Sequence, residues 1–225
     1  MKRVLLVSLF CFVIVAVQAS GATVWTQFNN ISPGTVTGTM GGVTVTYTST
    51  DLNGNTQIND VGTNYWLCGT TYCPVYYYPP LGINPPNTVD MVSLNGTSAT
   101  HTITFSSPVS NPVMALISLG DPWGYDTTYY FDQPFTILTS GGGWWGGGSL
   151  TLVNNGATYG VQGIEGDGLV LFNGTFSQIT WTGVDPYAEY WNGFNIGTTP
   201  EPSTLALFGT AVLGAAGMLR RRLGK

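Results

Sequence analysis

Polar and apolar positions alternate in short runs through the central part of the chain. Thr100, Thr102 and Thr104 alternate with His101, Ile103 and Phe105, a period of two that places the apolar side chains on one face of an extended strand. Comparable runs, rich in β-branched and aromatic residues and bounded by Gly, Pro, Asn or Asp, cover 35–37, 43–48, 113–119, 128–131, 135–138, 149–153, 158–162, 169–172, 176–181 and 191–196. Each predicts a strand. The 3.6-residue period of a long amphipathic helix is absent from this region. Many short strands separated by turn residues predict an all-β fold, an antiparallel two-layer β-sandwich of jelly-roll-like type, with the strand order left open. Residues 51–90 break the pattern with Tyr76-Tyr77-Tyr78-Pro79-Pro80 and Pro85-Pro86. A connection this long is usually functional or flexible.

The two ends follow other rules. Met1-Lys2-Arg3 precedes an apolar run from Val4 to Val17 that only Ser8 interrupts, and Val17-Gln18-Ala19 offers a cleavage site. This predicts a secretory signal peptide over 1–19, with cleavage after Ala22 as the other option. At the other end, Pro200-Glu201-Pro202 and a Ser-Thr step lead into an uncharged apolar stretch that ends at Leu219 before Arg220-Arg221-Arg222. Counted from Ser203 the stretch has 17 residues, about 25 Å as a helix, near the lower limit for a transmembrane helix. The arginines place that end on the cytoplasmic side and the domain outside, as the signal peptide also requires. The expected segments are therefore 1–19, an extracytoplasmic domain over 20–199, and a tail over 200–225.

Pro200-Glu201-Pro202, the glycine-containing span ending in Gly217-Met218-Leu219, and the arginine cluster, in that order at the C-terminus, closely resemble the PEP-CTERM sorting signal of bacteria that make extracellular polysaccharide. The resemblance implies that an exosortase, a membrane-embedded cysteine transpeptidase-like enzyme, recognises the Pro-Glu-Pro segment and processes the tail. It covers only the tail and implies nothing about the activity of the domain.

Charge narrows the domain's partners. No Lys or Arg lies between Val4 and Leu219, while all acidic residues except Glu201 fall within 20–199. Nucleic acid is excluded, because binding it needs cations to displace counterions from phosphates. Phosphorylated and strongly acidic ligands are disfavoured for the same reason. Cys11 leaves with the signal peptide. Cys68 and Cys73 remain, and an exported location favours a disulfide between them. Such a loop contributes about 2 kcal/mol on the loop-entropy account. Zinc lacks ligands, since His101 is the only histidine.

Asp51, Asn53, Asn55 and Asp60 place oxygen side chains at the spacing that opens an EF-hand loop, a candidate calcium site. Thr56 and Gly62 stand where that loop needs glycine and glutamate, and an Asx-rich turn explains the same residues. Glu165-Gly166-Asp167 is a weaker candidate of the same kind. Trp144 and Trp145, flanked by glycine triplets, are candidate stacking surfaces for a sugar ring, with Trp66, Trp123 and the tyrosine run as further members. The competing reading is a hairpin tip whose tryptophans fold back onto the sheet. His101 reads as a half-buried strand residue rather than a catalytic base. Glu165 and Glu189 are the acids that carboxylate-pair hydrolysis would use. Asn30, Asn95 and Asn173 begin acceptor triplets for N-glycosylation.

Three functions remain open at this point. The first is an exported, non-enzymatic surface or matrix protein associated with exopolysaccharide, with no catalytic residues. The second is a carbohydrate-binding module for neutral glycan. The third is a carboxylate-dependent glycan hydrolase. The expected partners are an exosortase-type enzyme, extracellular polysaccharide, and the membrane through the C-terminal helix.

Overall fold

The computed structural model describes residues 22–199 apart from 53, 68–82, 96–97, 122, 124–125, 145–147, 155–157, 186–188 and 190. The signal segment, Asn53, Cys68 and Cys73, the tyrosine run, Trp145, and Pro200, Glu201, Pro202 and the arginine cluster lie outside the described residues.

The chain forms β1 (Val24–Trp25), β2 (Gln27–Ser32), β3 (Thr35–Met40), β4 (Val43–Thr48), β5 (Val92–Leu94), β6 (Thr100–Ser110) and β7 (Pro112–Leu119) in its first half. Its second half forms β8 (Thr127–Phe131), β9 (Phe135–Gly141), β10 (Leu150–Asn154), β11 (Tyr159–Gly163), β12 (Gly166–Phe172), β13 (Thr175–Val184) and β14 (Asn192–Thr198). One sheet has six strands in the order β1-β14-β7-β12-β9, with β5 also on β14; the other has eight, β10-β11-β8-β13-β6-β4-β3-β2. Every strand pair is antiparallel. The all-β, sandwich-like expectation therefore holds.

Period-two burial follows from the sequence alternation. In β6, His101, Ile103 and Phe105 are buried while the intervening threonines are not. Between β3 and β4, Gly41 and Gly42 both have positive φ, 56° and 88°. Two successive left-handed residues make the tight hairpin whose twist matches the strands, and glycine adopts that conformation without a side-chain clash.

β7 is buried at every position. Its Met114, Leu116 and Leu119 join the core between the sheets, with Phe194, Ile196, Phe172 and Trp181. Its Val113, Ala115 and Ile117 point the other way, into a second cluster with Trp25, Trp66, Ile83 and Met91. The six-stranded sheet thus has both faces covered, which is why β7 reads as a continuous apolar run.

The described parts of the long 51–91 segment form much of that second cover. The segment is pinned by bridges Leu52 to Leu94 and Gln57 to Met91. Asn195 of β14 ties it further, donating to the carbonyls of Thr26 at 3.2 Å and Asp90 at 2.8 Å. β1, β2 and β5 escape sequence prediction. β1 and β5 are very short, and β2 is an edge strand with one buried side chain, Phe28, and a register shift between Phe28 and Asn30.

Candidate functional site

A cleft of about 660 Å³ lies where the end of β7, the β11–β12 turn and the segment entering β14 meet the 51–91 cover. Its chemistry starts in a bent stretch of backbone. Ser118 and Gly120 have φ of 53° and 82°, and Glu165 in the facing turn has φ of 49°. These bends let Ser118 and Gly120 hold two glutamates. The Ser118 hydroxyl donates to Glu165 Oε2 at 2.6 Å, and the Glu165 amide donates to the Gly120 carbonyl at 3.1 Å. The Gly120 amide donates to Glu189 Oε2 at 3.1 Å, and Asn192 Nδ2 donates to the same oxygen at 3.0 Å. Asn192 in turn accepts from the Tyr129 hydroxyl, and the Glu189 amide donates to Asp185.

Asp121, Glu165 and Glu189 line the cleft together with Asn55 and Gln57, and Tyr65, Trp123 and Trp191 supply aromatic surface. Trp123 is 82% exposed, and its amide donates to Asp121 Oδ1 at 2.6 Å in a local turn that presents the indole outward. Tyr65 is held edge-on by Trp191, 5.5 Å away, and by Trp144, 5.4 Å away.

Burial sets the protonation of the glutamates. It pushes the Glu189 carboxyl up to about 8 against the hydrogen bonds of Asn192 and the Gly120 amide, and the charge of Asp185 adds to the rise. Glu165 is also raised by burial, opposed by Ser118 and reinforced by Asp121. Burial thus favours the protonated form of Glu189, with hydrogen-bonding amides and aromatic faces around it.

The structure sorts the residues singled out from sequence. Trp123 stands at the cleft and Trp144 braces Tyr65, whereas Trp66 is a core residue at 2% exposure and offers no stacking surface. Glu165 and Glu189 do converge. The calcium candidates divide: Asn55 lines the cleft, Asp51 is buried, and Asp60 lines a separate cavity with Asp90. Asp167 is buried in β12, leaving Glu165 alone of that pair at the cleft. Among the described residues no group of three or more His, Cys, Asp or Glu side chains is placed to hold a metal.

His101 lies in the sandwich core. Its Nδ1 is 2.9 Å from the Tyr47 hydroxyl and its ring stacks on Trp181 at 5.0 Å. Ser118, Gly120 and Trp191 were not singled out, because their roles come from long-range contacts that no local motif marks, and Asn192, three residues from Glu189, has no motif to mark it either.

Two buried groups make a stability prediction whose sign can be worked through. Burial lowers His101 from 6.5 to about 4, so the unfolded chain binds more protons there and stability rises with pH across that window. Glu189 moves from 4.5 to about 8, so the folded chain binds more protons and stability falls with pH from 4.5 through 8. The two oppose each other up to pH 6.5. Above it the Glu189 slope remains, about 1.4 kcal/mol per pH unit. Urea midpoints between pH 6.5 and 8 should fall, and Glu189→Gln should flatten that decline while leaving the His101 limb below pH 6.5. An equally steep decline in E189Q would show that other groups carry it.

β14 leads the chain out of the sandwich at Thr198, six residues after Asn192. Residues 198–222 match the PEP-CTERM protein-sorting motif. No curated protein and no solved structure matches the chain. The PEP-CTERM motif implies an exported precursor, anchored at the membrane and processed by an exosortase-type partner on its way to the cell surface. The PEP-CTERM match covers the tail, so the reading of the domain rests on the cleft.

Proposed function

We propose that this protein is a non-enzymatic component of the cell surface or extracellular matrix that holds neutral polysaccharide in the cleft of Tyr65, Trp123 and Trp191. The observation that carries the reading is Trp123, 82% exposed beside a cleft whose polar groups are carboxyls and amides. An exposed indole presents an apolar face to a sugar ring, and the amides and carboxyls suit its hydroxyls. With no Lys or Arg from Val4 to Leu219, the domain has no permanent cation with which to recognise an acidic sugar. The tail supports placement beside extracellular polysaccharide, with the 203–219 span as the membrane anchor of the precursor and a Cys68–Cys73 disulfide on the oxidising side.

Trp123→Ala should weaken retention on the neutral polysaccharide that binds the native protein. Loss of a stacked anchor costs about 2 kcal/mol, roughly 30-fold in affinity. Because the side chain is exposed, the urea midpoint should not move. Native affinity electrophoresis reads the first quantity and urea unfolding the second. Unchanged mobility of W123A would remove this site.

One observation favours a second reading. Glu189 and Glu165 line the same cleft, and burial raises the Glu189 carboxyl to about 8, the direction that a general acid beside a second carboxyl group needs for glycosidic hydrolysis. Release of reducing ends from a bound polysaccharide, abolished by both E189Q and E165Q, would establish it. Binding without such release leaves the surface-protein reading in place.

A further inference from the structure

We propose that Asp60 and Asp90 hold a calcium ion in a second cavity, beside the register shift in β2 and apart from the glycan cleft. The cavity has a volume of about 270 Å³, and Gln27, Asn29, Thr39, Asn59, Asp60 and Asp90 line it together with Phe28. Every polar side chain in that set offers an oxygen, and none is a Cys, His, Lys or Arg. Oxygen-only donor sets suit hard cations, and calcium accepts the irregular, high-coordination geometry that such a mixed set provides. Magnesium demands a near-ideal octahedron and keeps more of its own water.

The observation that points to a ligand is Asp90. It is 0% exposed, yet its Oδ2 accepts no hydrogen bond. Its Oδ1 takes the Asp60 amide at 2.7 Å. Leaving a buried carboxylate oxygen without a partner is costly, and a metal ion is one of the few groups that relieves it. Asp60 brings a second carboxylate to the same place, its Oδ1 fixed by the Thr88 hydroxyl at 3.1 Å and the Val89 amide at 2.9 Å. No Lys or Arg exists in the domain to neutralise the pair.

The backbone places these donors before any ion arrives. Asn59 and Asp60 both adopt left-handed conformations, φ 60° and 56°. The Asn59 amide donates to the Phe28 carbonyl at 2.7 Å, which brings the loop onto β2. Bound calcium would fasten β2 to both ends of the 51–91 cover, the segment that also supplies Asn55, Gln57 and Tyr65 to the cleft. The site shares Asp60 with the EF-hand-like spacing. Its partner carboxylate comes from 30 residues downstream in sequence, where local spacing gives no sign of it.

The test uses full-length exported protein, solubilised in detergent and stripped with EGTA, titrated calorimetrically with calcium chloride and followed by thermal unfolding. The expected result is one ion per chain with a dissociation constant of roughly 10⁻⁴–10⁻³ M, the range of extracellular modules, and a rise in Tm on saturation. Asp90→Asn and Asp60→Asn should each weaken binding at least about tenfold. D90N removes a buried charge while keeping its shape, and D60N changes an exposed residue, so at least the second variant should fold. Asp126→Asn, which removes one carboxylate elsewhere, should bind as the native protein does. The proposal is overturned by no binding at roughly 10 mM calcium, tenfold above the weak end of that range. It is equally overturned by binding that D60N and D90N leave intact, or by a loss in D126N as large as theirs, which would mark bulk charge screening.

Discussion

Gly120→Ala should destabilise the domain by roughly 3–5 kcal/mol, through left-handed strain and overpacking acting together. Gly120 has φ of 82°, and a Cβ built there would lie 1.9 Å from the Gly163 carbonyl oxygen and 2.5 Å from its carbon. Those atoms belong to the backbone of β11 and cannot rotate aside. Relief would require moving β11 away from the end of β7, and the Gly120 amide and carbonyl hold Glu189 and Glu165. The site should therefore fail together with the fold. Gly42→Ala is the matched comparison. Its φ is also positive, 88°, but nothing lies within 4 Å of the added carbon, so only the conformational cost of about 1 kcal/mol applies. Urea unfolding of both variants reads the difference. Equal midpoints would show that the β7–β11 approach yields more readily than this geometry implies.

Replacing Pro200, Glu201 and Pro202 together by alanine should convert an almost completely processed protein into an exported precursor that keeps its tail. The motif sits immediately before the apolar span. Proline fixes φ, removes an amide donor and biases the preceding residue away from helical conformation, so Pro200 and Pro202 disfavour a helix through the motif. Alanines remove that restriction and the recognised carboxylate at once. Intact-mass measurement in an exosortase-containing host distinguishes the outcomes, and deletion of residues 1–19 should instead retain the precursor inside. Native-like maturation of the triple variant would contradict the assignment of the motif as the processing signal.

Much of the fold was legible because half-buried antiparallel strands write themselves as alternation. β4 was bounded correctly by β-branched residues and turn glycines; the threonine alternation marked the start of β6 but not its end, since the strand continues past Phe105 to Ser110. Edge strand β2 was not legible, since it buries only Phe28 and its Asn29-Asn30 pair looks like a turn. The 51–91 segment read as a loop because its role, covering the outer face of a sheet with Trp66, Ile83 and Met91, is set by tertiary contacts.

The site divides in the same way. Glu165, Glu189 and Trp123 could be named from residue chemistry alone. Their grouping could not, because Ser118 and Gly120, which position the glutamates, act across 47 and 69 residues of sequence. Trp144 drew attention through its glycine neighbours and is 37% exposed, but its indole also lies against Tyr65, while Trp123, in a less conspicuous setting, is 82% exposed. Asp60 likewise lines a cavity with Asp90, whose Oδ1 takes the Asp60 amide, and not with Asp51.

The central claim is that an uncharged sugar polymer is held by aromatic faces in a domain without cations. The most direct measurement titrates the exported protein, with EGTA present, against neutral polysaccharides and against uronic-acid-rich ones, for the native chain and for W123A in parallel. The account predicts saturable binding of at least one neutral polymer by the native protein, a loss of about 30-fold in W123A, and no binding of the acidic polymers. Binding confined to the acidic polymers, or neutral binding that W123A leaves unchanged, would contradict it.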